Sequence, residues 1–150
     1  MTDLTDLYQQ IIIEHNRSPR NFKKLPQANR AAQGDNPLCG DRIALEVDLQ
    51  GDTIKDIGFQ GSGCAISQAS ASLMTAAVQG QSAAQANALF QEVHRMLTAP
   101  ADAAVDTTRL GKLAALAGVR RFPARVKCAS LPWHTLHAAL QSTAEPVSTE

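Results

Sequence analysis

Three cysteines lie in three separate segments of this chain, and each has a different local context. Cys39 is followed by Gly40 and Asp41, Cys64 closes a Gly-Ser-Gly-Cys run, and Cys128 follows a basic stretch. Three thiolates and one carboxylate form a four-ligand set, the number that a tetrahedral zinc ion or an iron–sulfur cluster requires. These four side chains are therefore the first candidates for a metal site.

The composition is typical of a single soluble domain and indicates neither a nucleic-acid nor a membrane partner. The chain has 150 residues, 44% of them hydrophobic and 19% charged, which is enough to bury one core. Lysine plus arginine equals aspartate plus glutamate at 14 each, so no net positive charge favours nucleic acid or an acidic membrane surface. We expect one domain over 1–141 and a disordered tail over 142–150.

The cysteines are expected to be reduced. The first residues lack the basic region of a secretory signal, and the run at 11–13 is too short for its apolar region. No apolar run approaches the roughly 20 residues that cross a bilayer. We therefore expect a cytoplasmic protein, in which thiols stay reduced. An odd number of cysteines also argues against a closed set of disulfides, which leaves ligands or nucleophiles as their roles.

Hydrophobic periodicity predicts an N-terminal helix, a β-hairpin and several further helices. Residues 3–16 repeat apolar positions every three or four residues, and residues 42–49 and 53–60 alternate on either side of a turn. Segment 22–37 is interpreted as a loop with at most a short strand. Further helices are predicted over 65–79, from a cap at Ser82 to about 97, over 109–117 ending at Gly118, and over 129–141 after a break at Phe122–Pro123.

The hairpin brings two of the cysteine segments together. Cys39 and Asp41 lie where its first strand begins and Cys64 lies just past the end of its second, so antiparallel pairing makes them neighbours. In an extended chain Cys39 and Asp41 point the same way, which lets both reach one metal ion. Cys64 and Cys128 each stand at a predicted helix N-terminus, where free N–H groups favour thiolate over thiol.

Basic residues precede the third cysteine. We expect Arg125 and Lys127 to lower the pKa of Cys128 further. The alternative interpretation is that the basic residues over 120–127 form a solvated face. The cysteines could likewise be small buried hydrophobes, but glycine-flanked and charge-flanked positions fit that role poorly. The four histidines lie on predicted helices and are interpreted as surface or packing residues.

At this point the residues resemble a known family, the NifU/IscU-like iron–sulfur cluster assembly proteins, and within it the SufU-type branch. The resemblance covers roughly residues 4–141, and three motifs in order make it specific. Scaffold-type members carry histidine immediately before the third cysteine, where this chain has Lys127. Residues 98–117 resemble the insertion of the SufU-type branch. The motifs are Asn36-Pro37-Leu38-Cys39-Gly40-Asp41, Gly61-Ser62-Gly63-Cys64 and Phe122-Pro123-Ala124-Arg125-Val126-Lys127-Cys128.

The resemblance implies an α+β fold in which a small, mostly antiparallel sheet is packed on one side by helices. It implies that Cys39, Asp41, Cys64 and Cys128 bind one zinc ion. It further implies that the protein accepts persulfide sulfur from a SufS-like cysteine desulfurase, a pyridoxal-phosphate enzyme, with Cys39 as the acceptor. Downstream partners would be cluster scaffolds or acceptor proteins.

Two other functions remain open for the same residues. The four ligands could hold a transient [2Fe–2S] cluster, so that the protein is a scaffold and zinc a placeholder. Zinc could instead only stabilise the fold. A zinc hydrolase is disfavoured, because four protein ligands leave no open position for water. Within the sulfur-transfer hypothesis, Arg125 and Lys127 are expected to contact the partner or the persulfide.

Overall fold

The computed structural model describes residues 3–141 and 147–148, which form one sheet and the helices packed against it. In chain order the elements are α1 (Asp3–Arg17), β1 (Arg30–Asn36), β2 (Asp41–Gln50), β3 (Thr53–Ser62), α2 (Ala65–Val78), α3 (Ala83–Thr98), a 3-10 helix (Gly111–Arg121), α4 (Pro123–Gln141) and β4 (Val147–Ser148).

The sheet has the strand order β3-β2-β1-β4, antiparallel except for the parallel pair β1 and β4. Along β2 buried and exposed residues alternate, so one face carries Ile43, Leu45 and Val47 into the core. Helices α2 and α4 pack against the sheet, and α1 packs in turn on α2. The predicted fold class, a small and mostly antiparallel sheet with helices on one side, is confirmed.

The predicted hairpin is present, with a register shift between Asp48 and Leu49. The segment from 22 to 37, interpreted as a loop with at most a short strand, contains the seven-residue strand β1. Its small and polar residues give little period-two signal, and pairing with β2 is what makes it a strand. Gly34 permits this packing, because a Cβ there would overlap Thr135 of α4.

The helices α1, α2 and α3 lie within a residue or two of their predicted bounds. Ser82 and Gln85 form the capping box of α3. The segment predicted as a short helix ending at Gly118 is a 3-10 helix that runs on to Arg121. Because Gly118 does not adopt the left-handed conformation of a helix-ending glycine, it does not stop the chain there.

The last helix begins earlier than predicted. The sequence interpretation placed a break at Phe122–Pro123 and a helix from 129, whereas α4 starts at Pro123 itself. Proline is well suited to the first helical position, because its missing N–H would have no partner there in any case. This correction moves Cys128 from a helix N-terminus into the second turn of α4.

Part of the predicted disordered tail lies outside the described residues, namely 142–146 and 149–150. The two residues between them, Val147–Ser148, pair with Gly34 and Asp35 of β1 and so depart from that prediction. Across the described ranges, no helix combines the length and the apolar character needed to cross a membrane.

Candidate metal centre

Three separate parts of the fold supply the candidate ligands. Cys39 lies in the turn that joins β1 to β2, and Asp41 is the first residue of β2. Gly40 between them has a φ of 72°, a left-handed conformation that favours glycine. The turn, rather than the extended chain expected from the sequence, therefore brings Cys39 beside Asp41.

Cys64 reaches the centre from the far end of the hairpin. Arg42 pairs with Ser62, so the start of β2 and the end of β3 lie side by side. Cys64 is then the N-cap of α2, and its Sγ accepts a hydrogen bond from the Ser67 backbone N–H at 3.4 Å. The predicted placement of Cys64 at a helix N-terminus is confirmed.

The third cysteine, Cys128, lies on α4, which packs against β1. Cys128 Sγ is 3.3 Å from Cys39 Sγ, and the ligand atoms of Cys39, Asp41 and Cys128 all lie within 4.8 Å of one another. Cys64 is not a member of that tight group, but its Sγ lies 4.0 Å from Asp41 Oδ2. The fold thus brings all four predicted ligands into one cluster, with Cys64 at its edge.

Asp41 is the fully buried centre of this cluster. Its Oδ1 accepts a hydrogen bond from the Cys64 backbone N–H at 2.8 Å, which orients the carboxylate towards the thiols. Gly63 allows that approach, because a Cβ there would overlap Asp41 Oδ1 and lie 3.1 Å from Asp41 Cα. The glycine before the second cysteine is therefore needed for space at the carboxylate.

The environment of Cys128 is the opposite of what the sequence predicted. Its side chain is fully buried in the second turn of α4, away from the free N–H groups of the helix N-terminus. Burial raises the pKa of the Cys128 thiol, and hydrogen bonds with Asp41, Cys39 and Cys64 raise it further. The expected lowering of this pKa is wrong for the protein without a bound cation.

The two basic residues of the third motif differ in placement. Arg125 is exposed, and its Nη1 lies 3.9 Å from Cys39 Sγ. A hydrogen bond with Cys128 and the charges of the thiolates of Cys64, Cys128 and Cys39 raise the pKa of Arg125. Lys127 is also exposed on α4, next to Cys128 in the chain. A role for either residue in partner or persulfide handling stays a prediction.

Asn36 is a residue whose place in the site the sequence interpretation missed. It is fully buried at the end of β1, and its Nδ2 donates to Cys128 Sγ at 3.6 Å. Its Oδ1 is buried without a hydrogen-bond partner among the described residues. An asparagine before a proline is by itself typical of a turn, so the residue type does not predict a buried position. Its place at the start of the first motif was the only sequence signal for a role in the site.

The donor set fits a soft or borderline cation. Soft thiolates with one hard carboxylate suit zinc, and four protein ligands are the usual number at a structural zinc site. The crowding of three ionisable thiols around a buried carboxylate is unfavourable without a compensating positive charge. A divalent cation would supply that charge and reverse the upward shift in the thiol pKa.

Comparison with known proteins identifies the family. The protein-family model described as NifU-like N terminal domain matches residues 7–129 of this chain. The zinc-dependent sulfurtransferase SufU of Bacillus subtilis (strain 168) is 42% identical over 135 residues, which cover 89% of each chain. The iron–sulfur cluster assembly scaffold protein IscU of Streptococcus pyogenes serotype M1 is 39% identical over 144 residues, 96% of this chain and 89% of that one.

Solved structures agree with this assignment. The SufU crystal structure from Fervidobacterium islandicum AW-1, a protein named for cluster assembly in the SUF system, superposes with a TM-score of 0.81 at 33% identity. The match covers 87% of this chain and 94% of that one. A NifU-like N-terminal domain from Brucella abortus shares the fold at 21% identity, with a TM-score of 0.81. The chain is therefore a member of the NifU-like N-terminal domain family of iron–sulfur cluster assembly proteins.

Proposed function

We propose that this protein accepts persulfide sulfur from a cysteine desulfurase at a zinc site formed by Cys39, Asp41, Cys64 and Cys128. The observation that carries the proposal is the convergence of these four side chains, with Cys39 Sγ 3.3 Å from Cys128 Sγ and Cys64 Sγ 4.0 Å from Asp41 Oδ2. The 42% identity to a zinc-dependent sulfurtransferase over most of both chains supports the same activity.

Cys39 is the thiol best placed to accept the sulfur. Cys128 is fully buried within α4, and Cys64 is held as the N-cap of α2. Cys39 instead lies half-buried in a turn between the exposed residues Leu38 and Gly40. A thiol in a turn can leave the cluster without disturbing a helix, and the exposed neighbours of Cys39 leave room for a partner to approach.

The transfer step is a thiol–disulfide type of exchange. The Cys39 thiolate attacks the outer sulfur of the donor persulfide and forms a new S–S bond. The donor's own S–S bond breaks, and its electron pair leaves with the donor cysteine sulfur, which becomes a thiolate. Cys39 then carries the persulfide, and no external oxidant or reductant is needed.

Neighbouring side chains prepare this step. Zinc, when bound, holds its thiolate ligands deprotonated yet shields them from oxidation. Asp41 is the hard ligand among soft ones, which favours a site that must open. Arg125, with Nη1 at 3.9 Å from Cys39 Sγ, provides a positive charge where the negative persulfide would form.

The partner would be a pyridoxal-phosphate cysteine desulfurase, and later acceptors would be cluster scaffolds or other acceptor proteins.

The test is alanine production by the cognate cysteine desulfurase with and without the zinc-loaded protein. We expect strong acceleration that Cys39→Ala abolishes and that the exposed neighbour substitution Ser62→Ala leaves intact. Mass spectrometry of the Cys39 peptide should then show one added sulfur atom. Acceleration that persists in Cys39→Ala would contradict the assignment of the acceptor.

The competing function is a scaffold for a [2Fe–2S] cluster on the same ligands. It would produce no acceleration of the desulfurase by the zinc form. It would also give a stable, transferable cluster with visible absorption after anaerobic loading with iron and sulfide. The two results together would replace sulfur transfer by the scaffold function.

A further inference from the structure

A large groove lies between α1 and the 3-10 helix and ends beside the candidate metal centre. It encloses about 910 Å³, and Arg125 is among the residues that line it. We call it the arginine groove, and its side-chain lining comes from α1, from the start of α2, from the loop at Ala101 and from the 3-10 helix with the residues that follow it. The members used below are Ile13, Arg120, Arg121, Phe122 and Arg125.

The groove combines apolar surface with positive charge. Its apolar members include Ile13 and Phe122, which are 53% and 62% exposed, unusually high values for large hydrophobic side chains. The charged residues that line it in the described part of the chain are arginines only, with no aspartate or glutamate among them. A surface of this kind matches a ligand that has both apolar and acidic groups.

Arg120 gives independent support for an anionic ligand. It is half-buried, and its Nη1 has no hydrogen-bond partner among the described residues although that atom is buried. A buried guanidinium N–H without an acceptor is costly, and a carboxylate accepts from this group in a bidentate geometry. Arg120 lines the groove, so a carboxylate there would accept from its guanidinium once the side chain turns outward.

The position of the groove links it to the proposed chemistry. Arg125 lines it and at the same time approaches Cys39 Sγ at 3.9 Å. A chain segment lying in the groove would thus extend from the surface of α1 to the thiol that accepts sulfur. The groove's volume of about 910 Å³ and its mostly apolar lining suit a polypeptide segment better than a small anion.

We propose that the arginine groove docks a segment of the persulfide donor that carries both acidic and apolar side chains. This inference rests on the proposed function, since it names how that partner is recognised. Apolar side chains would cover Ile13 and Phe122, and carboxylates would pair with Arg120 and Arg121. Docking would hold the donor sulfur next to Cys39.

A matched pair of substitutions on α1 tests the apolar part. Ile13 lines the groove, whereas Leu7 lies outside it on the same helix with nearly the same exposure, 52% against 53%. We expect Ile13→Asp to weaken binding of full-length persulfide-free desulfurase by about tenfold or more. Leu7→Asp should bind as the unsubstituted protein does. Equal loss, or no loss, in both variants would overturn the proposal.

A second pair tests the charge. Arg121→Glu reverses an exposed charge of the groove, and Lys55→Glu reverses an exposed charge on β3 outside it. We expect about tenfold weaker binding and a reduced salt dependence for Arg121→Glu alone. Arg120→Met tests the half-buried guanidinium without adding a negative charge. Unchanged binding in both arginine variants would contradict an acidic partner segment.

Two further measurements separate this inference from the proposed function. Glutathione persulfide, which needs no docking, should load Cys39 equally in the Ile13→Asp variant and in the unsubstituted protein. A photo-crosslinker at position 13 should capture an acidic and apolar desulfurase peptide, and capture of a basic peptide would overturn the inference. If Cys39 accepts no sulfur from either donor, sulfur transfer is wrong, while the binding data still decide the groove.

Discussion

Replacing Gly63 by alanine should damage the metal centre although none of the four ligands is replaced. A Cβ at this position would overlap Asp41 Oδ1 and lie 3.1 Å from both Cα and Cβ of Asp41. Asp41 is fully buried and begins β2, so neither its side chain nor its backbone can withdraw easily. The substitution should therefore push the carboxylate away from the Cys64 N–H that it accepts from at 2.8 Å.

The size of the effect follows from two terms. Overpacking of a buried site costs about 1–3 kcal/mol. Loss of a hydrogen bond to a charged group costs about 1.5–3 kcal/mol. The two costs are not fully additive, because moving the carboxylate away from the added Cβ relieves the overpacking while it breaks the hydrogen bond. We therefore expect the free energy of unfolding of the metal-free protein to fall by about 3 kcal/mol. A displaced carboxylate should weaken zinc binding by about 10–100-fold.

Two other glycines serve as controls for this prediction. Gly118 has open space around its missing Cβ and no left-handed φ, so Gly118→Ala should be neutral or slightly stabilising. Gly40 also has open space but a φ of +72°, so Gly40→Ala should cost about 1–2 kcal/mol from backbone strain alone. The expected order of destabilisation is Gly63→Ala, then Gly40→Ala, then Gly118→Ala.

The assay combines urea unfolding of the metal-free variants with zinc transfer to a chromophoric chelator. If Gly63→Ala matched Gly118→Ala in both the unfolding free energy and the zinc affinity, the close contact with Asp41 would not constrain the site. If it lost stability but kept full zinc affinity, Asp41 would not be a ligand that the metal depends on.

Three further predictions address neighbouring features. Asn36→Leu removes the amide that donates to Cys128 Sγ and should weaken zinc binding by about tenfold in the same chelator assay, with unchanged secondary structure by circular dichroism. Burial lowers the pKa of His15 below its usual 6.5 in the folded protein. As the pH falls, the unfolded chain therefore binds a proton at this histidine at a higher pH than the folded protein does. Stability should therefore decrease as pH drops below 6.5, less steeply in His15→Gln when the two are compared by urea unfolding at several pH values. Gly34→Ala would overlap Thr135 Oγ1 and should destabilise the protein, and adding Thr135→Ala should recover part of the loss in thermal unfolding.

The parts of the fold with strong periodicity could be predicted from the sequence. The hairpin and the first three helices follow from apolar spacing and from a capping residue such as Ser82. The strand β1 could not be predicted in the same way, because its pattern carries little alternation of its own. It exists because β2 offers unpaired backbone groups on one side and α4 covers its face near Gly34.

The error at α4 shows how a local rule can mislead. The rule that proline breaks a helix predicts a break at Pro123, although proline is favourable at the first helical position. With α4 starting at Pro123, Cys128 lies in the second turn, and the predicted helix-terminal stabilisation of its thiolate is lost. Burial and neighbouring acidic groups then raise the thiol pKa instead. Burial of one side chain among distant neighbours is not a local property of the sequence.

The sequence by itself determined the chemistry of the site, because residue types and their flanking glycines are written in the chain. Three cysteines and Asp41 in their motifs were enough to name the candidate ligands. Only the tertiary structure decided how they meet, through a left-handed turn at Gly40 and the packing of α4 on β1. It also decided the roles of Asn36 and Gly63, which depend on atoms that are distant in the chain and close in space.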